Sequence, residues 1–277
     1  MEKYSILMSV YYKDSPDELR QSIESMINQT VLCDQFVLFM DGELTEELKM
    51  VIKDYKTKYP SLFTIKGFKE NKGLGRALDA GLKFCRNDLV ARMDADDISL
   101  PTRCEKLLEL FSKHPELGLA GTNIDEFYHD PTHIVSSRVV PSDYKSICKF
   151  MRRRSPFNHP TVMFRKSEVI RCGGYGKMKR KQDLDLFARM INMGVYALNI
   201  NESLLLFRSN EGNYKRRKSW EYCKSYIEVE FVNYKRGYCS IIDLAIVTVG
   251  QMVMYVAPMH VMKFLSDNLL RKNVSKY

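Results

Sequence analysis

The sequence predicts an α/β fold built on a mostly parallel, doubly wound sheet flanked by helices. Three observations carry that expectation. A chain of 277 residues that is 45% hydrophobic can bury a substantial core. Short apolar runs alternate with amphipathic stretches through its first half, which is the pattern of repeated β/α units. Two of those runs end in acidic residues, at Asp41 and at Asp94, Asp96 and Asp97, where open α/β sheets gather their ligands.

The elements follow in order. "YSILMSVYY" reads as a buried first strand, too short for a secretory apolar region and without a small-residue cleavage site after it. "SPDELRQSIESMINQ" is a helix: Ser15 caps it, Pro16 suits its first turn, and Glu18 stands at the capping-box position. Its Leu19, Ile23, Met26 and Ile27 keep helical spacing. "DQFVLFMDG" is the second strand, "TEELKMVIKDYKTKY" the second helix, "FTIKGF" the third strand, "GLGRALDAGLKFC" the third helix and "DLVARMDADD" the fourth strand. Then come a helix in "RCEKLLELFSKHP", a short apolar strand in "LGLAGTNI", and a polar, proline-bearing stretch to about residue 160. "FNHPTVMFRKSEVIRCGGY" reads as strand, turn, helix and glycine turn. "KMKRKQDLDLFARMINMG" is a basic loop followed by a helix that Asp183 and Asp185 open.

The chain changes character near residue 214. Residues 1–150 carry 20 Lys and Arg against 24 Asp and Glu, whereas 151–277 carry 23 against 10. The basic half therefore faces something anionic. Nucleic acid is the weaker candidate, because no basic motif interleaved with aromatic residues is present. Residues 241–265 are apolar and long enough to cross a bilayer, yet Asp243, Gly250, Gln251, Pro258 and His260 interrupt them. Helices that dock on the core or lie in a membrane interface are expected instead. The division expected is 1–213 for the α/β domain and 214–277 for a basic, apolar helical region that associates with the membrane. The seven cysteines are scattered, with no CxxC pair, and read as reduced structural thiols of a cytosolic protein.

"RMDADDISLP" places three carboxylates within four positions at a strand end. Like charges so close raise one another's pKa unless a cation or strong donors sit among them. Capping of the next helix accounts for one or two of these acids, and a D-x-D at a strand end suits a hard divalent cation completed by phosphate oxygens. For Asp183, too, a helix-capping role stands beside a chemical one, with Asp185 better placed as the structural acid of that first turn.

The ordered set "SVYYKDSPDELRQSIESMINQT", "LFMDG", "NKGLGRALDAGL", "ARMDADDISLPTR", "NHPTVMFRKS", "GGY" and "QDLDLFARM" resembles the family 2 glycosyltransferases of the GT-A fold, over residues 4–210. It is most similar to bacterial enzymes that build capsule and O-antigen repeat units. The resemblance implies that Ser9, Val10 and Tyr11 line the nucleotide base and that Asp41 hydrogen-bonds it. By the same resemblance Gly73 and Arg76 of the third helix, and Asp94 with Ala95, belong to the nucleotide-sugar site. Asp96 would hold Mn2+ or Mg2+ against the diphosphate, and Asp183 would be the catalytic base. His159 would line the donor or acceptor site. Arg208 and the clusters at 152–154, 177–181 and 215–218 would grip a diphosphate, though their default reading is a solvated face. Three positions depart from the family pattern: Gln182 stands for Glu, Asp79 for Asn, and Asn210 for a late histidine.

The expected activity is inverting transfer of a sugar from a nucleotide-sugar, most commonly a UDP-sugar such as UDP-galactose or UDP-glucose. Its acceptor would be a hydroxyl of a polyprenyl-diphosphate-linked or growing saccharide at the inner face of the cytoplasmic membrane. Such transfer needs neutralisation of the departing diphosphate and a base for the acceptor's proton. A sugar-nucleotide nucleotidyltransferase is a rival, but "YYKDSPDE" lacks the glycines that its first loop would need. A membrane-associated protein that binds a nucleotide-sugar without turnover is the non-enzymatic rival.

Overall fold

The computed structural model describes residues 1–176, 178, 180–209, 212 and 218–258. Residues 177 and 179 of the basic cluster at 177–181, Asn210, His260 and residues 215–217 lie outside the described residues. Strands β1 (Tyr4–Val10), β2 (Gln35–Met40), β3 (Phe63–Gly67) and β4 (Leu89–Met93) form a parallel half-sheet in the order β3-β2-β1-β4. Helices α1 (Pro16–Ile27), α2 (Glu46–Lys58) and α3 (Leu74–Leu82) make the crossovers. Both faces of this half-sheet are covered, which is why β1 reads as one continuous apolar run. Ile6, Met8 and Val10 join the core that holds Leu19, Ile23 and Met26 of α1, while Leu7 points to the opposite core with Leu78 and Leu82 of α3. The side chains of Ser15 and Thr45 accept from the Glu18 and Leu48 N–H groups, so Ser15 caps α1 as expected, but the Glu18 side chain faces Arg208 rather than closing a capping box.

The second half is mixed. After the two-residue β5 (Ile98–Ser99) and α4 (Arg103–Lys113) come β6 (Leu117–Phe127), β7 (Ile134–Arg138) and α5 (Tyr144–Met151). A 3-10 turn at His159–Thr161 leads into β8 (Met163–Arg165), then α6 (Lys166–Arg171), α7 (Gln182–Asn192) and β9 (Tyr196–Arg208). The sheet continues from β4 through β8, β6 and β9 to β5, with β7 paired to β6. Here β8 runs antiparallel to both neighbours and β6 runs parallel to β9.

Two of these elements, and the second half of a third, were not visible in hydropathy. The stretch read as irregular to residue 160 contains β7 and α5, and β6 runs past its apolar start to Phe127. The reason lies in polar pairing. Ser136 donates to Glu126 at 2.7 Å, while Ser137 and Ser203 both donate to Asp125, at 2.6 and 2.7 Å. A strand whose side chains satisfy one another across the ladder carries no apolar period.

Helices α8 (Trp220–Lys235) and α9 (Ile241–Val256) form an antiparallel hairpin that turns at Gly237, whose φ is 74°. Ser240 and Asp243 make a reciprocal capping box at the start of α9. Asp185 joins the hairpin to the core: its carboxylate takes Arg189 Nη2 at 2.8 Å and Arg236 Nη1 of the α8 end at 2.7 Å. Because Asp185 is buried, deleting it takes the carboxylate from Arg236 and leaves Arg189 on the carbonyls of Cys172 and Gly174, and breaking a buried pair typically costs about 3–5 kcal/mol. Arg236 is partly solvated, so Asp185→Ala is expected to lose about 3 kcal/mol in urea unfolding. A loss under about 1 kcal/mol would show that the pair does not hold the hairpin.

Candidate active site

The site lies beyond the carboxyl ends of β1, β2 and β4. At the end of β2, the Asp41 N–H donates to the Val10 carbonyl, while its carboxylate accepts the Lys72 and Gly73 N–H groups at 2.7 and 2.9 Å. Asp41 thereby fixes the loop that starts α3. Gly73 has a φ of 90°, a backbone state that favours glycine. Arg76 projects from the exposed side of α3, whereas Gly75 packs on Gln182 and draws the start of α3 against the start of α7. Ser9 and Val10 end β1, and Tyr11 is exposed just beyond.

The loop after β4 gathers the three acids, each offering an oxygen within 4.8 Å of the others. Their environments differ. Asp94 is partly exposed and ion-paired to Arg92, and its carbonyl accepts Ser22 Oγ at 2.6 Å. Asp96 opens to solvent. Withdrawal of its surroundings from water, then the carboxylates of Asp94 and Glu18, push its pKa up to about 7. Asp97 is fully buried, and burial followed by Asp96 and Asp94 raises its pKa well above the usual carboxylate range. It does not cap α4, whose N-cap is Thr102. Instead its Oδ1 accepts the Arg208 N–H at 2.9 Å, and its buried Oδ2 has no partner among the described residues.

Arg208, at the end of β9, clasps this loop. Its Nε donates to the Asp96 carbonyl at 2.9 Å, its Nη2 to Gln21 at 2.7 Å, and its guanidinium lies 3.4 Å from Glu18. The donor set is all oxygen and anionic at the mouth, so it fits a hard divalent cation.

Behind the acids lies a buried polar network. His159 Nε2 meets the Tyr175 hydroxyl at 2.9 Å, and burial, then Arg92, hold the imidazole pKa well below its usual value. His159 is thus a neutral floor residue at pH 7. Tyr175 is held by Asp79, which accepts its N–H at 3.1 Å, so aspartate at that position pins the glycine turn. Burial raises the Tyr175 pKa; Arg92 opposes the rise, and Asp183, Asp94 and Asp79 add to it. Asp183 is the second residue of α7 and lines a cavity of about 450 Å3. Just before it, Lys181 has φ 61°, the one left-handed non-glycine among the described residues.

Sequence reasoning missed Arg92, Asp14, Glu18 and Tyr175. Arg92 offered a signal, a charged residue inside the apolar run "LVARM", where an unpaired charge is almost never tolerated. It is fully buried, and its Nε and Nη1 have no partner among the described residues. Asp14 is raised to about 8 by burial, with Asp96, Asp94 and Glu18 adding to it against the Tyr11 N–H. The predicted residues Asp41, Asp94, Asp96 and Arg208 do come together on one rim, with His159 beneath.

An acidic loop beyond the ends of parallel strands, with a second acid opening a helix at a neighbouring cavity, fits the fold of a GT-A glycosyltransferase. The sequence profile described as Glycosyl transferase family 2 matches residues 5–181, and the chain belongs to that family. The chain is 34% identical over 272 residues to an Escherichia coli enzyme named UDP-Gal:alpha-D-GlcNAc-diphosphoundecaprenol beta-1,3-galactosyltransferase, covering 98% of this chain and 97% of that protein. It is 36% identical over 226 residues to the amylovoran biosynthesis glycosyltransferase AmsE of Erwinia amylovora, covering 82% and 84%. The fold is similar to that of the mannosyltransferase PcManGT from Pyrobaculum calidifontis, solved with GDP-Man and Mn2+. That likeness has a TM-score of 0.65 at 12% identity and covers 92% of this chain and 70% of that one.

Proposed function

We propose that this glycosyltransferase moves a sugar, with inversion, from a UDP-sugar to a hydroxyl of a diphosphate-lipid-linked saccharide during surface polysaccharide assembly. The observation that carries the reading is the gathering of Asp94, Asp96 and Asp97 in the loop after β4, with Asp183 lining a cavity at the start of α7. The names of the two relatives support the pathway and, for one of them, the lipid acceptor. In this reading Ser9, Val10, Tyr11 and Asp41 receive the base, and Gly73, Arg76, Asp94, Ala95 and Arg208 surround the rest of the donor. Asp96 holds Mn2+ or Mg2+, which when bound supplies Lewis-acid neutralisation of the diphosphate. Asp183 takes the acceptor hydroxyl's proton on the face opposite the leaving group, and a single such base gives inversion.

The test is transfer from a nucleotide-sugar panel to GlcNAc-diphosphate-lipid, with and without Mn2+. Metal-dependent transfer of one sugar with release of the nucleoside diphosphate is expected. Release of inorganic diphosphate from a nucleoside triphosphate would replace this reading with the nucleotidyltransferase.

Residues 214–277 are proposed to rest on the inner membrane surface. No helix among the described residues is long and apolar enough to cross a membrane. Ile242, Val249 and Val256 of α9 are nonetheless more than 60% exposed beside a basic half-chain, which suits an anionic interface. Flotation with anionic liposomes should carry the full chain but not a chain ending at residue 213. A full chain left at the bottom of the gradient refutes the attachment.

A further inference from the structure

The proposed base stands in the first turn of α7, and that turn is braced from two sides. On one side, Gly75 of α3 packs on Gln182. On the other, the residues two before and two after Asp183 both reach α8. Lys181 meets its first turns, and Asp185 pairs with Arg236 at its C-terminal cap at 2.7 Å. Arg180 adds an exposed ion pair to Glu221 at 3.0 Å.

Lys181 is the unusual member. Its φ of 61° is a left-handed state in which a Cβ crowds the backbone, a state that glycine adopts freely. The chain nonetheless turns into α7 at this residue, and the Lys181 carbonyl accepts the Asp185 N–H at 3.1 Å as the helix opens. Such a conformation persists only where surrounding contacts over-determine it. Here the contacts come from α8. The Lys181 ammonium donates to the Tyr222 hydroxyl, and it lies 3.9 Å from the Tyr222 ring centre and 4.7 Å from that of Tyr226. The two tyrosines are four residues apart and share a helix face. Their helix is fixed in turn: the Ser219 side chain accepts the Tyr222 N–H at 3.3 Å, and the Tyr226 hydroxyl donates to the Arg153 carbonyl at 3.3 Å. Lys181, Asp183, Tyr222 and Tyr226 line one cavity.

We infer that Lys181 is a positioning residue for the proposed reaction: held by Tyr222 and Tyr226, it fixes the left-handed start of α7 and thereby the place of Asp183 in the cavity. This rests on the proposed function for the role of Asp183. A misplacement of about 1 Å at a reacting group can cost about 10^2-fold in rate, so a contact that only shapes the backbone beside the base acts on kcat. The C-terminal hairpin thereby gains a task in the chemistry, because α8 supplies both tyrosines. Donor binding is separate from it, since the acids proposed to hold the donor stand at the ends of β2 and β4.

Lys181→Gly in the full-length protein tests this, because glycine accepts φ 61° without the crowding of a Cβ and removes the side chain that α8 holds. The variant should melt close to wild type, bind UDP with unchanged affinity in calorimetry, and lose at least about tenfold in kcat for transfer to GlcNAc-diphosphate-lipid. Amide exchange followed by NMR should show the Asp185 N–H exchanging at least about fivefold faster, because the carbonyl that holds it is no longer pinned. Lys181→Arg keeps a cation at the two rings and should hold kcat within about threefold of wild type. Tyr222→Leu should lose as much as Lys181→Gly, and the double variant no more than the worse single, the mark of one shared contact. Folded Lys181→Gly with wild-type kcat, or with wild-type exchange at Asp185, overturns the inference. So does faster exchange confined to α8, which would make Lys181 a fastener of the hairpin alone. Absence of transfer by the wild-type protein defeats the proposed function, whereas exchange at Asp185 still decides whether Lys181 holds the start of α7.

Discussion

Asp183→Asn lowers kcat for sugar transfer by about 10^3-fold, within the range of roughly 10^2–10^4-fold that a positioned general base contributes, and leaves nucleotide affinity unchanged. The substitution keeps size and polarity at the second position of α7 but removes the carboxylate proposed to take the acceptor's proton. Steady-state kinetics with the lipid acceptor, set beside UDP titration of the same preparation, checks both halves. The neighbouring acid is the control. Asp185 faces away from the cavity into Arg189 and Arg236, so its loss is read in unfolding rather than in the pH dependence of kcat. Wild-type kcat in a folded Asp183→Asn protein would remove the base assignment and send the search to another group on the cavity wall.

Asp96→Ala abolishes cation-dependent binding of the nucleotide-sugar, and kcat/KM falls by at least about 10^2-fold, since a bound metal supplies several kcal/mol of charge stabilisation. The fold should survive. Asp96 holds Arg208 through its backbone carbonyl, which alanine retains, and its side chain opens to solvent. Removing one carboxylate also relieves Asp97 and Asp14, both raised in part by Asp96. The variant should therefore melt at or above the wild-type temperature while losing activity, the reverse of what damage to a structural acid would produce. Chelation of the wild type should reproduce the kinetic defect and add nothing to that of Asp96→Ala. An Asp96→Ala enzyme that still responds to Mn2+ would move the cation to Asp94 or Asp97.

The contrast among the acids shows what was legible before the fold was known. Asp94, Asp96 and Asp97 were recognisable as a cluster because a strand end crowded with carboxylates is a local pattern. Their separate environments were not, because burial and partners come from distant chain. Asp97 meets the backbone of a residue 111 positions away, and that contact makes it the buried anchor of β9 rather than a cap for α4. Likewise Asp183 and Asp185 stand two apart on one helix, and Asp185 is turned inward by Arg189 of the same helix together with Arg236 at the end of α8.

Local sequence determined the parallel half of the sheet, its helices with their caps, and the acidic rim, since each depends on periodicity and residue type within a dozen positions. The tertiary structure decided the rest. Strand β7 and the polar middle of β9 pair through hydrogen-bonded side chains, Ser136 with Glu126 and Ser137 and Ser203 with Asp125, which leaves no hydropathic period to read there. The cavity beside Asp183 is assembled from β7, the turn after α5, the start of α7 and both C-terminal helices. It belongs to no single segment, and arises only when folding brings residues more than a hundred positions apart to one wall.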